Sequence, residues 1–191
     1  MSGWSSEVRP LDTERILRAF ADHDARVILV GGVAAILYGY VGSTVDLDAV
    51  PALDEDNLNR LRAALQDLRA VPWADPERRD LFPDGRPPEA DEFGYTAEGL
   101  RRHPVWHLTS DAGLIDIVAE ITAAGGYAQL SEHATHLRLF DADVSVASLD
   151  DIIASKRALG RTKDLMALAR LIELRARRDV RAQEEGKGGS G

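Results

Sequence analysis

The stretch "TVDLDAV", Thr44 to Val50, constrains the fold more than any other part of the chain. It alternates, carries β-branched residues and is closed by Pro51, which reads as a β-strand. Side chains on a strand alternate between faces, so Asp46 and Asp48 point to the same side. The sheet that takes this strand must therefore carry two carboxylates side by side on one face. Such a pair repels and is costly to desolvate. It is stable if both groups face water, or if a cation sits between them. The preceding "RVILVGG" is a short apolar run stopped by glycines and reads as a buried strand. "VDLDAV" is therefore expected inside the sheet, which favours the cation.

A third acid has a similar setting. "GLIDIVAEI" places Asp116 in an apolar strand, with Leu114 and Val118 on its face and Ile115 and Ile117 on the other. Asp is rarely buried without a partner. Asp46, Asp48 and Asp116 together make a candidate site for a hard divalent cation with oxygen ligands. Mg²⁺ is the expected ion, because it takes one or two carboxylates and completes its shell with water and substrate phosphates. Two such ions about 3.5–4 Å apart would clamp an in-line phosphoryl displacement. Gly31 and Gly32 stand where the strand passes into the short helix "GVAAILYG", from Gly32 to about Gly39. Glycines there let backbone N–H groups approach a phosphate, and a helix start favours an anion. Ser43 and Thr44 add hydroxyls just before the acids.

The rest of the chain alternates helices and strands. "LDTERILRAFADH" has apolar residues at helical spacing with Asp12 or Thr13 as cap, and "DEDNLNRLRAALQDLRA" is an amphipathic helix with acids at its start. "PVWHLTS" and "GLIDIVAEI" are two strands joined at Asp111-Ala112-Gly113; "YAQLSEHA" is a short helix; "THLRLF" and "VSVASL" form a hairpin around "DAD". Two helices follow, "SLDDIIASKRAL" with Ser148 as cap and "RTKDLMALARLIELRARR". Six of the eight prolines fall within 72–104, which marks a functional lid or mobile loop rather than a linker. The expected fold is α/β (α+β), a small mixed sheet flanked by helices, with C-terminal helices. One domain is expected over 1–182, with a core about 11–147, a helical part about 148–182 and a disordered tail 183–191.

Composition narrows the function. The 191 residues include no cysteine, which excludes disulfides, thiolate metal sites and a cysteine nucleophile. "MSGWSSEVRP" lacks the apolar core of a signal peptide, and no apolar run reaches the roughly 20 residues that span a bilayer. A cytoplasmic protein with no membrane partner is expected. The net charge of −9 argues against broad non-specific nucleic-acid binding. Between Lys156 and Arg181, however, nine basic residues face three acidic ones. That segment is either a solvated helix face or a surface for a phosphate-bearing partner. The pairs His133/His136 and His103/His107 read as surface or core residues rather than ligands. Asp141 and Asp143 suit a hairpin tip, Asp150 and Asp151 a helix start, and Trp73 and Trp106 core packing.

The stretch "GGVAAILYGYVGSTVDLDAV" resembles the nucleotidyltransferases of the polymerase-β-like superfamily, and more narrowly the AbiEii / MenT toxin group of bacterial toxin–antitoxin systems. "LDDIIASKRALGRTKDLMAL" is similar to that group's S-K-x-x-x-G-R-x-K-D signature. The resemblance covers roughly Arg26 to Leu171, with the specific motifs at its two ends and in "GLIDIV". It implies a minimal nucleotidyltransferase fold in which Asp46, Asp48 and Asp116 bind Mg²⁺–nucleotide. It also implies that Gly31, Gly32, Ser43 and Thr44 hold the triphosphate, that Lys156 and Lys163 contact phosphate and that Asp164 orients them. The implied activity is transfer of a nucleoside monophosphate from an NTP to an RNA acceptor, the 3′ end of tRNA, by a toxin with a cognate antitoxin. In some members the antitoxin phosphorylates an active-site hydroxyl, here Thr44 or Ser43. Many relatives read G-x-x-R-x-T-x-D, and here Gly42 stands at the Arg position. A basic residue of the Pro-rich stretch, Arg78, Arg79 or Arg86, is one replacement. Two alternatives stay open: a nucleotidyltransferase for a small molecule such as an antibiotic, which the acidic net charge favours, and an inactive nucleotide-binding module, which Gly42 favours.

Overall fold

The computed structural model of the chain describes residues 9–73 and 96–188. Most of the Pro-rich stretch, with Arg78, Arg79 and Arg86, lies outside the described residues. Helix α1 (Thr13–Asp22) starts where expected: the Asp12 side chain accepts from the Arg15 N–H, and Ile16, Leu17 and Phe20 are buried. Strand β1 (Val27–Val30) runs into helix α2 (Gly31–Leu37), and strand β2 (Asp46–Pro51) follows. Helix α3 (Glu55–Asp67) is capped by Asp54, which accepts from the Asn57 N–H, and it buries Leu58, Leu61 and Leu65. Next come strand β3 (Val71–Pro72), helix α4 (Ala97–Arg102) and the hairpin β4 (Val105–Ser110) and β5 (Gly113–Val118).

A two-stranded piece, β6 (Glu120–Ile121) and β7 (Gly125–Gly126), leads into helix α5 (Tyr127–Ser131). The second hairpin is β8 (Thr135–Leu139) and β9 (Ala142–Val146). Helix α6 (Leu149–Leu159) has the expected Ser148 cap and stops at Gly160, and α7 (Thr162–Gly188) ends the described chain. The expected disordered tail from 183 is corrected in part, since α7 continues past it. Ala182, Gln183, Glu184 and Glu185 are good helix formers and extend a helix that already exists.

Seven strands form one mixed sheet in the order β3-β4-β5-β2-β1-β9-β8. Strands β2 and β5 pair in parallel, as do β1 and β9, while β1 and β2 pair antiparallel. Both edge strands, β3 and β8, pair antiparallel with their neighbours. The expected α+β class with a mixed sheet and C-terminal helices is what forms. Helix α2 packs on β1, β2 and α6, α6 pairs with α7, and α1 packs on α3 and β9. The core includes Ile28, Leu29, Leu47, Ile115 and Ile117, all fully buried, and Trp106 joins it as expected. Among the described residues no helix is long and apolar enough to cross a membrane.

The geometry places β2 and β5 at the centre, side by side and in parallel register. A parallel pair there cannot come from a tight turn and needs a crossover. Among the described residues, α3, β3, α4 and β4 lie along it. That path lets two stretches far apart in sequence meet with their acids aligned.

Candidate metal centre

Parallel pairing sets Asp48 opposite Asp116, and antiparallel pairing sets Asp116 opposite His107. Residues directly opposite on neighbouring strands project from the same face. Asp46 lies two residues before Asp48 and shares that face. One carboxylate oxygen from each of Asp46, Asp48 and Asp116 lies within 4.8 Å of the others. All three are half-buried. They converge rather than splay, as the alternation predicts.

Each carboxylate faces a donor from a different place. The Thr44 hydroxyl donates to Asp46 Oδ1 at 2.7 Å, with the Asp46 main-chain carbonyl at 3.2 Å. The Gly32 backbone N–H lies towards the Asp48 carboxylate and favours its charged form. His107 Nδ1 stands 2.9 Å from Asp116 Oδ1, and since an ionised carboxylate only accepts, Nδ1 carries the hydrogen there. Burial pushes the Asp48 carboxyl up to about 7, and the charges of Asp46 and Asp116 push the same way. The Gly32 N–H and the positive charge of Lys156 oppose this without overcoming it. A site that resists its own ionisation in this way has oxygen donors suited to a hard divalent cation.

The glycines serve the acids directly. Gly31 has φ +65°, and a Cβ there would overlap Asp48 Oδ2. A Cβ on Gly32 would meet Thr44 Oγ1 at 2.5 Å. The two glycines thus let the turn close over Asp48 and Thr44. Of the groups expected to cradle phosphate, the Gly32 amide and the Thr44 hydroxyl are already directed at carboxylates. Ser43 is exposed. At Gly42 a Cβ would overlap the Tyr40 ring, so that ring occupies the space a side chain would need.

Lys156 and Lys163 part company. Lys156 on α6 donates to Asp164 Oδ1 at 3.2 Å, and Arg161 Nε donates to Asp164 Oδ2 at 2.6 Å. Asp164 is almost wholly buried, at 1% exposure. Burial alone would raise its pKa, but the hydrogen bonds and charges of Arg161 and Lys156 outweigh that and hold its carboxyl below the usual range. Asp164 thus ties Lys156 of α6 and Arg161 to the start of α7. Lys163 is exposed and takes no part in this group.

Sequence reading missed His107, which it assigned to surface or core. The signal was available: a turn at Asp111-Ala112 closing two antiparallel strands sets His107 opposite Asp116. A cleft of about 560 Å³ lined by Phe20, Arg26, Arg60, Tyr127 and Arg138 among others contains none of these residues. It lies beside α1, apart from the carboxylate cluster. The chain matches no protein-family model and no curated protein.

Proposed function

We propose that the protein is a Mg²⁺-dependent nucleotidyltransferase that moves a nucleoside monophosphate from an NTP to an RNA acceptor, the 3′ end of tRNA, and acts as the toxin of a toxin–antitoxin pair. The observation that carries the reading is the convergence of Asp46, Asp48 and Asp116 within 4.8 Å from two adjacent parallel strands. Oxygen-only donors in an electrostatically strained group suit Mg²⁺ and a bound triphosphate. Bound there, the ion supplies charge neutralisation at the phosphates and lowers the pKa of an acceptor hydroxyl.

The chain's own residues supply positioning. Asp46, Asp48 and Asp116 form the ligand set, each facing its own donor. Lys156 adds a positive charge near the cluster, fixed by Asp164, where negative charge builds in phosphoryl transfer. Asp116 keeps its second oxygen for a ligand or for the acceptor's proton. The basic C-terminal segment suits an RNA backbone in part. Arg175 and Arg177 pair with Asp150 and Glu173, and Arg178 lies over the Tyr38 ring. Arg157, Lys163 and Arg170 are exposed and carry no ion pair among the described residues. The net charge of −9 keeps a second reading in play, a cationic small-molecule acceptor.

One experiment separates these. The protein is incubated with Mg²⁺ and each labelled NTP, with total tRNA or a panel of aminoglycosides and lincosamides. Label on tRNA is expected, and Asp48→Asn or Asp116→Asn should lower it by about 10²-fold or more. Label on a drug selects the small-molecule reading. NTP binding without transfer to either selects an inactive nucleotide-binding module.

A further inference from the structure

Two of the three tethers on the carboxylates come from the loop and helix start beside β2; the third comes from β4. Thr44 holds Asp46 and the Gly32 N–H lies towards Asp48. Asp116 projects from β5, with His107 directly opposite on β4 and Nδ1 2.9 Å from Oδ1. The side chains of His107 and Asp116 are 29% and 17% exposed, so the bond is partly shielded from water and stronger than an exposed pair. A short aspartate has two rotatable bonds, and an untethered one facing two like charges turns away from them. Nothing in the Thr44 or Gly32 contacts restrains Asp116 against that.

Resting on the metal reading of the cluster, we infer that His107 is a positioning residue for the divalent cation. Its Nδ1–H fixes one oxygen of Asp116 and so presents the other to the ion shared with Asp46 and Asp48. Partners of this kind behind a ligating carboxylate orient it and raise metal affinity. The role requires a donor at the place of Nδ1, and not merely a side chain that fills the space.

The test titrates Mn²⁺ alone into the full chain and follows the EPR signal of the free ion. Wild type is compared with His107→Ala, His107→Asn and His107→Gln, each also melted to check folding. The Asn amide nitrogen falls near the place of Nδ1, whereas the Gln amide falls near that of Nε2. We expect His107→Ala and His107→Gln to bind Mn²⁺ about 10–100-fold more weakly, with His107→Asn restored to within about threefold of wild type. Should the Ala variant fail to fold, the Asn–Gln contrast decides. Folded Ala or Gln variants that bind as tightly as wild type overturn the inference. So does an Asn variant as weak as Gln, which would leave only packing. If folded wild type itself does not bind Mn²⁺, the metal reading falls and takes this role with it.

Discussion

At Gly31 and Asp48 a single atom decides the local structure. Gly31 sits at φ +65° with its Cα against Asp48, and any Cβ there overlaps the carboxylate. Gly31→Ala combines backbone strain with overpacking and should cost about 2 kcal/mol in a urea titration. Asp48 brings a penalty of its own. Its pKa in the folded chain is about 7, against an ordinary 3.8. Between these values the folded chain keeps a proton that the unfolded chain has lost. Stability therefore falls as pH rises through that window, at up to about 1.4 kcal/mol per pH unit. Asp48→Asn removes the charge and the penalty. In chelator-treated buffer the variant should melt higher than wild type at pH 8, with the gap closing towards pH 4. Mg²⁺ should raise the wild-type melting temperature at pH 8 and leave the Asn variant nearly unmoved. A variant that melts with wild type at every pH would mean that Asp48 ionises without cost.

At the level of elements, legibility followed the range of the interaction. Caps and amphipathic faces are local, so α1, α3 and α6 were readable from Asp12 or Thr13, the acids that open α3, and Ser148. Alternation alone aligned Asp46 with Asp48, and the apolar run around Asp116 marked it as the third acid. What the sequence hid were pairings across strands and ties between elements. His107 reads as an ordinary strand histidine until β4 is folded onto β5. The short helix α4 and the β6–β7 pair carry too few residues for a periodic signal. Asn57 is the clearest case. It looks like a polar residue in the first turns of a helix, yet it is 1% exposed. Its side chain accepts from the Arg26 N–H and donates to the carbonyls of Arg26 and Ala52. Those bonds join α3 to the outer ends of β1 and β2. Asn57→Ala strands buried backbone groups and should cost about 2–4 kcal/mol, read by chemical denaturation. A loss below about 0.5 kcal/mol would mean that water replaces the amide freely.

At the scale of the whole molecule, the C-terminal helices join the sheet chemically as well as by packing. Asp164 lies at the start of α7, Lys156 near the end of α6, and Lys156 also acts on Asp48 in the sheet. One buried carboxylate thus anchors a cation that serves the cluster. Removing one partner of such a group leaves the others desolvated and unpaired. Asp164→Ala should cost about 3–5 kcal/mol, more than the loss of any exposed pair such as Arg177–Glu173. Its pH signature is opposite to that of Asp48. The folded pKa of Asp164 lies below its ordinary value, so its contribution is complete above about 4 and fades as pH falls through the depressed value. Asp164→Ala should therefore flatten the acid side of the stability profile, whereas Asp48→Asn flattens the fall from acid towards neutral pH. The two effects meet at Lys156. Without Asp164 the ammonium is no longer held between α6 and α7. If Lys156 then reaches farther towards the carboxylates, the Asp48 titration, followed by carboxyl NMR, moves down. If it turns to water, the titration moves up. No movement in either direction would show that the C-terminal helices support the sheet by packing alone, and that the charge of Lys156 does not reach the site.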